Sequence, residues 1–272
     1  MRIARLSILA LIWSSLAAQT PPSKPASSQS GVPLSLADPV PPQAAVPVSD
    51  EPHHAHEFQN GYVRVYNVTV APLDTTLLHQ HDLPYLSLSL GPADVVNAVQ
   101  GQPEVHMTLE DGATRYSPGG FAHIVRTDAG VPFHNITIEL VHPPGTPLNL
   151  GAQAKDRPLG SCPPLAADPR NPQFPGEQVV RCFETDEAEL DFVRVEGGRD
   201  YQDTAPKTAA LLVAMSDADL EVFLGGEHAG FLHAGDVLWL PTGTSRRITD
   251  FLGIRSNFLL LSFKDSGLNP PK

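Results

Sequence analysis

The chain has 272 residues, 41 % of them hydrophobic, and a formal net charge of −12. It is long enough for two ordinary domains and apolar enough to bury a core. The acidity, with no Lys/Arg cluster anywhere, excludes nucleic acid as a partner, because phosphate binding needs a basic footprint.

Residues 1–17 read as an export signal. Arg2 and Arg5 precede the apolar run Leu6–Trp13, and Ser15-Leu16-Ala17 offers small residues for cleavage. The run is shorter than the roughly 20 residues a membrane span needs. The mature chain is therefore expected to start near Ala18, in the periplasm or outside the cell, with no membrane association after cleavage; an uncleaved membrane anchor is the alternative. Residues 18–52 are rich in Pro, Ser and Ala. Proline has no amide donor and a fixed φ, so this stretch reads as a disordered tether. His53, His54 and His56 close it; the first two read as solvated, and His56 stands nearest the fold.

Residues 53–145 carry strand and turn signals only. Tyr62–Val70 is β-branched and aromatic, bounded by Asn60-Gly61 and Pro72. Tyr85–Leu90 alternates apolar and polar residues up to Gly91-Pro92, and Asn135–Leu140 alternates again. Val105–Leu109 leads into the hairpin signal Asp111-Gly112. Between the first two strands stand His79 and His81. Two residues apart on a strand, their side chains share a face, and two converging imidazoles suit a borderline metal ion. His123 follows the next turn as a third candidate ligand.

Residues 146–177 form a Pro-rich connector. Cys162 and Cys182 are the only cysteines. In an oxidising compartment they are expected to bridge, closing a loop of about 20 residues worth roughly 3 kcal/mol. Residues 178–266 repeat the strand-and-turn pattern, at 190–195, 209–215, 220–224, 236–240 and 257–263. No amphipathic helix stands out; at most one or two turns fit between Glu184 and Asp191.

The two strand sets share an internal repeat. Gly112, Pro118, Gly120 and His123 follow G-x5-P-x-G-x2-H, and Gly235, Pro241, Gly243 and Arg246 follow the same spacing. Extending the register pairs Tyr85–Leu88 with Ala210–Val213, and puts Thr204 and Pro206 where His79 and His81 stand. The second copy keeps the turn and loses the imidazoles. Arg246 cannot ligate a metal; it reads as a salt-bridge partner at the barrel mouth. His228 and His233 read as solvated.

The H-x-H pair followed by G-x5-P-x-G-x2-H resembles the two motifs of the cupin superfamily, and the resemblance runs from about His56 to Lys264. It implies an all-β chain of two tandem double-stranded β-helix (jelly-roll) barrels, a bicupin with a metal-competent first barrel and a degenerate second. The family's first motif has glutamate where Tyr85 stands, and its second often ends on asparagine where Thr127 stands. The implied ligands are His79, His81 and His123, holding a divalent metal ion (iron, zinc or manganese). Tyr85, His134 and His106 are candidates for supporting the ligands or touching substrate. Such a neutral three-histidine set is similar to that of cupin dioxygenases. Two functions stay open: an oxygenase of a small polar organic molecule, and a non-enzymatic small-molecule or metal-binding module of the cell envelope. The reaction, the substrate and the oligomeric state are not encoded in any motif.

Overall fold

The computed structural model describes residues 44–128, 130–141, 177–196, 198–253 and 255–264. All of them lie in one compact unit, Pro42–Lys272. The stretch read as an export signal, most of the expected tether, nearly all of the expected connector and Cys162 lie outside the described residues.

The N-terminal half contains β1 (Val46–Pro47), β2 (His54–Gln59), β3 (Val63–Val70), β4 (His79–His81), β5 (Tyr85–Ser89), β6 (Ala93–Val99), β7 (Val105–Leu109), β8 (Thr114–Ser117), β9 (Phe121–Thr127) and β10 (Phe133–Leu140). They form two sheets, β1-β4-β9-β6-β7 and β2-β3-β10-β5-β8. The C-terminal half contains β11 (Glu177–Glu184), β12 (Ala188–Glu196), β13 (Asp200–Asp203), β14 (Ala209–Ala214), β15 (Asp219–Leu224), β16 (Glu227–His233), β17 (Val237–Leu240), β18 (Arg246–Asp250) and β19 (Arg255–Phe263). Its sheets run β11-β12-β19-β14-β17 and β13-β18-β15-β16. Apart from the extra edge strand β1, the two strand orders are the same. The chain is thus two tandem jelly rolls, and the repeat in the sequence is a repeat of architecture. The helical turns considered at 184–191 are instead the hairpin between β11 and β12.

Alternation explains where each strand face goes. Val63, Val65, Leu86, Leu88, Ile136 and Ile138 point away from the interior of their own half. They pack on Leu190, Phe192, Leu211, Val213, Leu259 and Leu261 of the other, in one cluster. Each such side chain contributes roughly 1.5–3 kcal/mol on burial. Cys182 is buried in the same cluster. On the opposite face of β5 and β10, Tyr85, Ser87, Asn135 and Thr137 line the first half's interior. The alternation visible in the sequence therefore has its apolar side toward the partner half and its polar side toward a cavity.

The fold begins earlier than the expected boundary at residue 53. Val46 and Pro47 pair in parallel with His79 and Gln80, and the amide of Val46 donates to the carbonyl oxygen of Leu78 (3.0 Å). A single turn of 3-10 helix at Val48–Asp50 buries Val48 in the first half's interior. Proline is tolerated there because β1 is an edge strand, where a missing donor leaves no ladder bond unmade.

The register of the second copy also needs one correction. β18 sets Arg246 opposite Asp203, as β9 sets His123 opposite His79. The turn glycine Gly243 donates its amide to Pro206 (3.0 Å), as Gly120 does to His81 (2.7 Å). Pro206 thus stands where His81 does, but Asp203, not Thr204, stands where His79 does. One extra residue between Asp203 and Pro206 accounts for the shift.

Candidate metal centre

β4 carries His79 and His81 on one face, and the ladder to β9 places His123 directly opposite His79. The turn before β9 is held against β4. Gly119 has φ +69°, and a Cβ there would come within 2.2 Å of the carbonyl oxygen of Leu83, so only glycine fits. The ring centroids of His79 and His123 are 4.5 Å apart, those of His79 and His81 5.2 Å, and those of His81 and His123 5.6 Å. All three side chains are buried.

A fourth histidine joins them. His54, on β2, is buried with its ring 4.6 Å from His79 and 5.5 Å from His81. Potential ligand atoms of His54, His79 and His81 all lie within 4.8 Å of one another. His54 therefore does not belong with the solvated histidines at the end of the tether. His56, expected to stand nearest the fold, is exposed and meets only the edge of the Tyr66 ring.

Each of the four rings is oriented by a bond from its Nδ1. His79 donates to the carbonyl oxygen of Leu77 (2.9 Å), and His81 to Glu139 (3.2 Å). His123 donates to the side-chain oxygen of Asn97 (2.8 Å), and His54 to Glu51 (2.6 Å). Carbonyl and carboxylate oxygens only accept, so these partners place the proton on Nδ1 and leave Nε2 with its lone pair. The Nε2 atoms of His79 and His123 are buried without any hydrogen-bond partner. Orphaned buried nitrogens are costly in a folded protein unless something binds them. Burial, reinforced by the neighbouring histidines, pushes His79 down to about 4 and His123 to about 2, so both are neutral at pH 7. Neutral, pre-oriented imidazoles with inward lone pairs fit a divalent metal ion.

Two buried carboxylates stand behind the rings. Glu139 holds His81 with one oxygen and accepts from Arg64 Nη1 with the other (2.9 Å). Glu51 is 1 % exposed and accepts four hydrogen bonds, from His54 Nδ1, His53 Nδ1, and the amides of His53 and Leu77. Burial works against its charge, but the bonds from His54 and His53 prevail and hold it down to about 2.

The cluster closes one end of a cavity of about 220 Å³. Tyr85, Arg115 and Ser117 are among the lining residues. Tyr85 stacks on His81, with centroids 4.2 Å apart, and hydrogen-bonds Ser117. His106 and His134 do not reach the cluster. His106 is exposed on β7. His134 shares the parity of Ile136, faces away from the cavity, and bonds Asn67 (2.8 Å). In the second half His228 and His233 are exposed. Arg246 is buried and paired with Asp203 (3.0 Å), the salt bridge expected of it.

Sequence reasoning did not find His54, Glu51, Glu139, Asn97 or Arg115. Glu139 alone left a signal, as the one acidic residue in the alternating strand Asn135–Leu140.

No family model and no curated protein matches the chain. Solved structures do. A mutant of salicylate 1,2-dioxygenase from Pseudoaminobacter salicylatoxidans superimposes with a TM-score of 0.54 at 15 % identity, over 75 % of this chain and 70 % of that one. A gentisate adduct of the same enzyme gives 0.51 at 16 % identity, over 75 % and 68 %. AerE from Microcystis aeruginosa gives 0.53 at 12 % identity, over 79 % and 99 %. At such identities the likeness establishes the fold, the cupin-type jelly roll, and nothing finer.

Proposed function

We propose that the chain is an exported bicupin that holds one divalent metal ion on His79, His81 and His123, and that it oxygenates a small organic anion. The observation that carries this reading is the set of Nδ1 bonds that turn every ring's Nε2 inward, two of them buried and unpartnered. A bound ion would supply a Lewis-acid centre and, if iron, the one-electron chemistry that oxygen requires. The chain's own residues do the rest. Imidazole ligands bring no charge of their own and would leave the ion's charge uncompensated for an anionic ligand. Arg115 supplies a second positive group on the cavity wall. Tyr85 and Ser117 offer hydroxyls to orient the substrate, and the buried walls exclude water. A cavity of about 220 Å³ suits a single ring, since an engineered one of about 150 Å³ holds benzene. The likeness to an enzyme named for salicylate, one structure of which is a gentisate adduct, points to hydroxylated aromatic carboxylates as the substrate class.

The non-enzymatic module is the second reading. The small cavity favours its metal-binding form, because sites for drug-sized ligands usually run to roughly 300–1,000 Å³. Metal analysis of protein purified without an affinity tag, paired with oxygen uptake on a panel of aromatic hydroxy acids, separates the two. Substrate-dependent uptake by the metal-loaded protein supports the oxygenase; retained metal without uptake supports the module. Among the described residues no helix is long and apolar enough to cross a membrane. Export and the Cys162–Cys182 bridge rest on the sequence. Intact mass of exported protein before and after reduction tests both, and a thiol that labels freely without reductant contradicts the bridge.

A further inference from the structure

We infer that His54, clamped by Glu51, is a fourth ligand of this metal centre, replacing with an imidazole the carboxylate that the cupin motif has lost at Tyr85. The inference rests on the metal-binding reading above and extends it to a residue outside both motifs. Three observations carry it. His54 and His123 each adjoin His79, at 4.6 and 4.5 Å between ring centroids, and His81 lies within 5.6 Å of both. His79 and His81 thus each neighbour all the other rings of the cluster. Next, potential ligand atoms of His54, His79 and His81 all lie within 4.8 Å of one another. Finally, its Nδ1 donates at 2.6 Å to the buried carboxylate of Glu51, whose other oxygen accepts from the amide of Leu77 two residues before His79 and so ties His54 to the strand that carries the ligands. That is the carboxylate–histidine arrangement which fixes the tautomer of metal-binding histidines and raises their basicity.

The place where a glutamate ligand would reach in is occupied differently. Tyr85 lies against the face of His81 and spends its hydroxyl on Ser117. No carboxylate lines the cavity among the described residues. Glu51 and Glu139 stand behind the rings, not among the inward donors. The set is therefore all imidazole. Imidazole suits zinc, iron, copper and nickel, whereas carboxylate and water suit manganese. The inference narrows the metal to the first group. It also makes the centre depend on the segment Val46–His54, whose edge strand pairs with the strand carrying His79 and His81.

The test uses the full chain, tag-free, loaded with Zn²⁺. X-ray absorption should count four imidazoles in the parent protein and three in His54→Ala. Glu51→Gln should weaken Zn²⁺ binding about 10–100-fold, the usual cost of losing such a partner, and His54→Ala by more. Thermal unfolding of the metal-free proteins shows whether each variant folds, and the count in the parent protein needs no variant. Three imidazoles in the parent, with Zn²⁺ affinity unchanged in His54→Ala but lost in His123→Ala, would overturn the inference and leave the three-histidine reading intact. Zn²⁺ affinity unchanged in His79→Ala, His81→Ala and His123→Ala would overturn that reading too.

Discussion

The two halves of this chain share their ladders and differ in what fills them. Ser87 pairs with Thr137, and Ser89 with Asn135. At the matching rungs of the second half, Leu212 pairs with Leu260, and Ala214 with Phe258. Polar rungs leave a cavity with histidines at one end; apolar rungs close into a core with Val222, Leu240 and Ile248. Where His79 faces His123, Asp203 faces Arg246. One backbone plan thus carries a histidine cluster and a cavity in one copy and an apolar core in the other. The scaffold's outer face, Leu211, Val213, Leu259 and Leu261, is what the site's outer strands pack against.

Substitutions at matched rungs break this comparison most sharply. Leu260→Ala empties packed volume in the second half and should cost about 2–5 kcal/mol in chemical denaturation. Thr137→Ala, its counterpart, borders a cavity already present and loses one hydrogen bond, so about 1 kcal/mol is expected. Equal losses would mean that the first half is packed like the second.

Metal-linked stability comes next. With free Zn²⁺ at 100 times Kd, binding raises stability by about 2.7 kcal/mol. That gain should vanish in His79→Ala and survive in His228→Ala, whose residue lies exposed in the half without a ligand set. A melting-temperature series with and without Zn²⁺ reads it directly.

Acid should act on the first half. In the metal-free protein His79 and His123 have folded values of about 4 and 2, below the ordinary histidine value of 6.5. The unfolded chain then binds protons that the folded one refuses, so stability falls as pH drops below about 6.5. Glu51, held at about 2 against an ordinary 4.5, adds a loss in the same direction below about 4.5. Denaturation between pH 7 and 4 should show a slope that is shallower in His79→Ala and His123→Ala.

The smallest effect is expected at Arg246. Its Nε and Nη1 are buried without partners, while Asp203 keeps some access to solvent. Exchanging buried ionic groups for apolar ones of similar volume is often neutral or stabilising. Arg246→Met should therefore change stability by no more than about 1 kcal/mol, and metal binding not at all.

Much of this was legible in the sequence. The H-x-H pair works by alternation, and the glycine-proline turn brings His123 to it; both are local rules with fixed spacing. The repeat exposed the second half and its loss of imidazoles. Residues that act through pairing between distant strands were not legible. Glu139 reaches His81 across 58 positions, and Asn97 reaches His123 across 26. Val46 and Glu51 were hidden by composition, because a Pro-rich stretch reads as tether until an edge strand captures its last residues. His54 looked solvated for the same reason: nothing local to it reveals that β2 brings it beneath His79. The one-residue offset at Asp203 was hidden by an insertion just after the short strand that ends there.

The histidine cavity of the first half is expected to hold one metal ion, and the second half none. Native mass measurement of the tag-free chain, reconstituted with Zn²⁺ and desalted, tests it most directly. One tightly held ion per chain is expected, retained in Arg246→Met and absent in His79→Ala. A chain that retains no ion, or one whose ion survives His79→Ala, would contradict it.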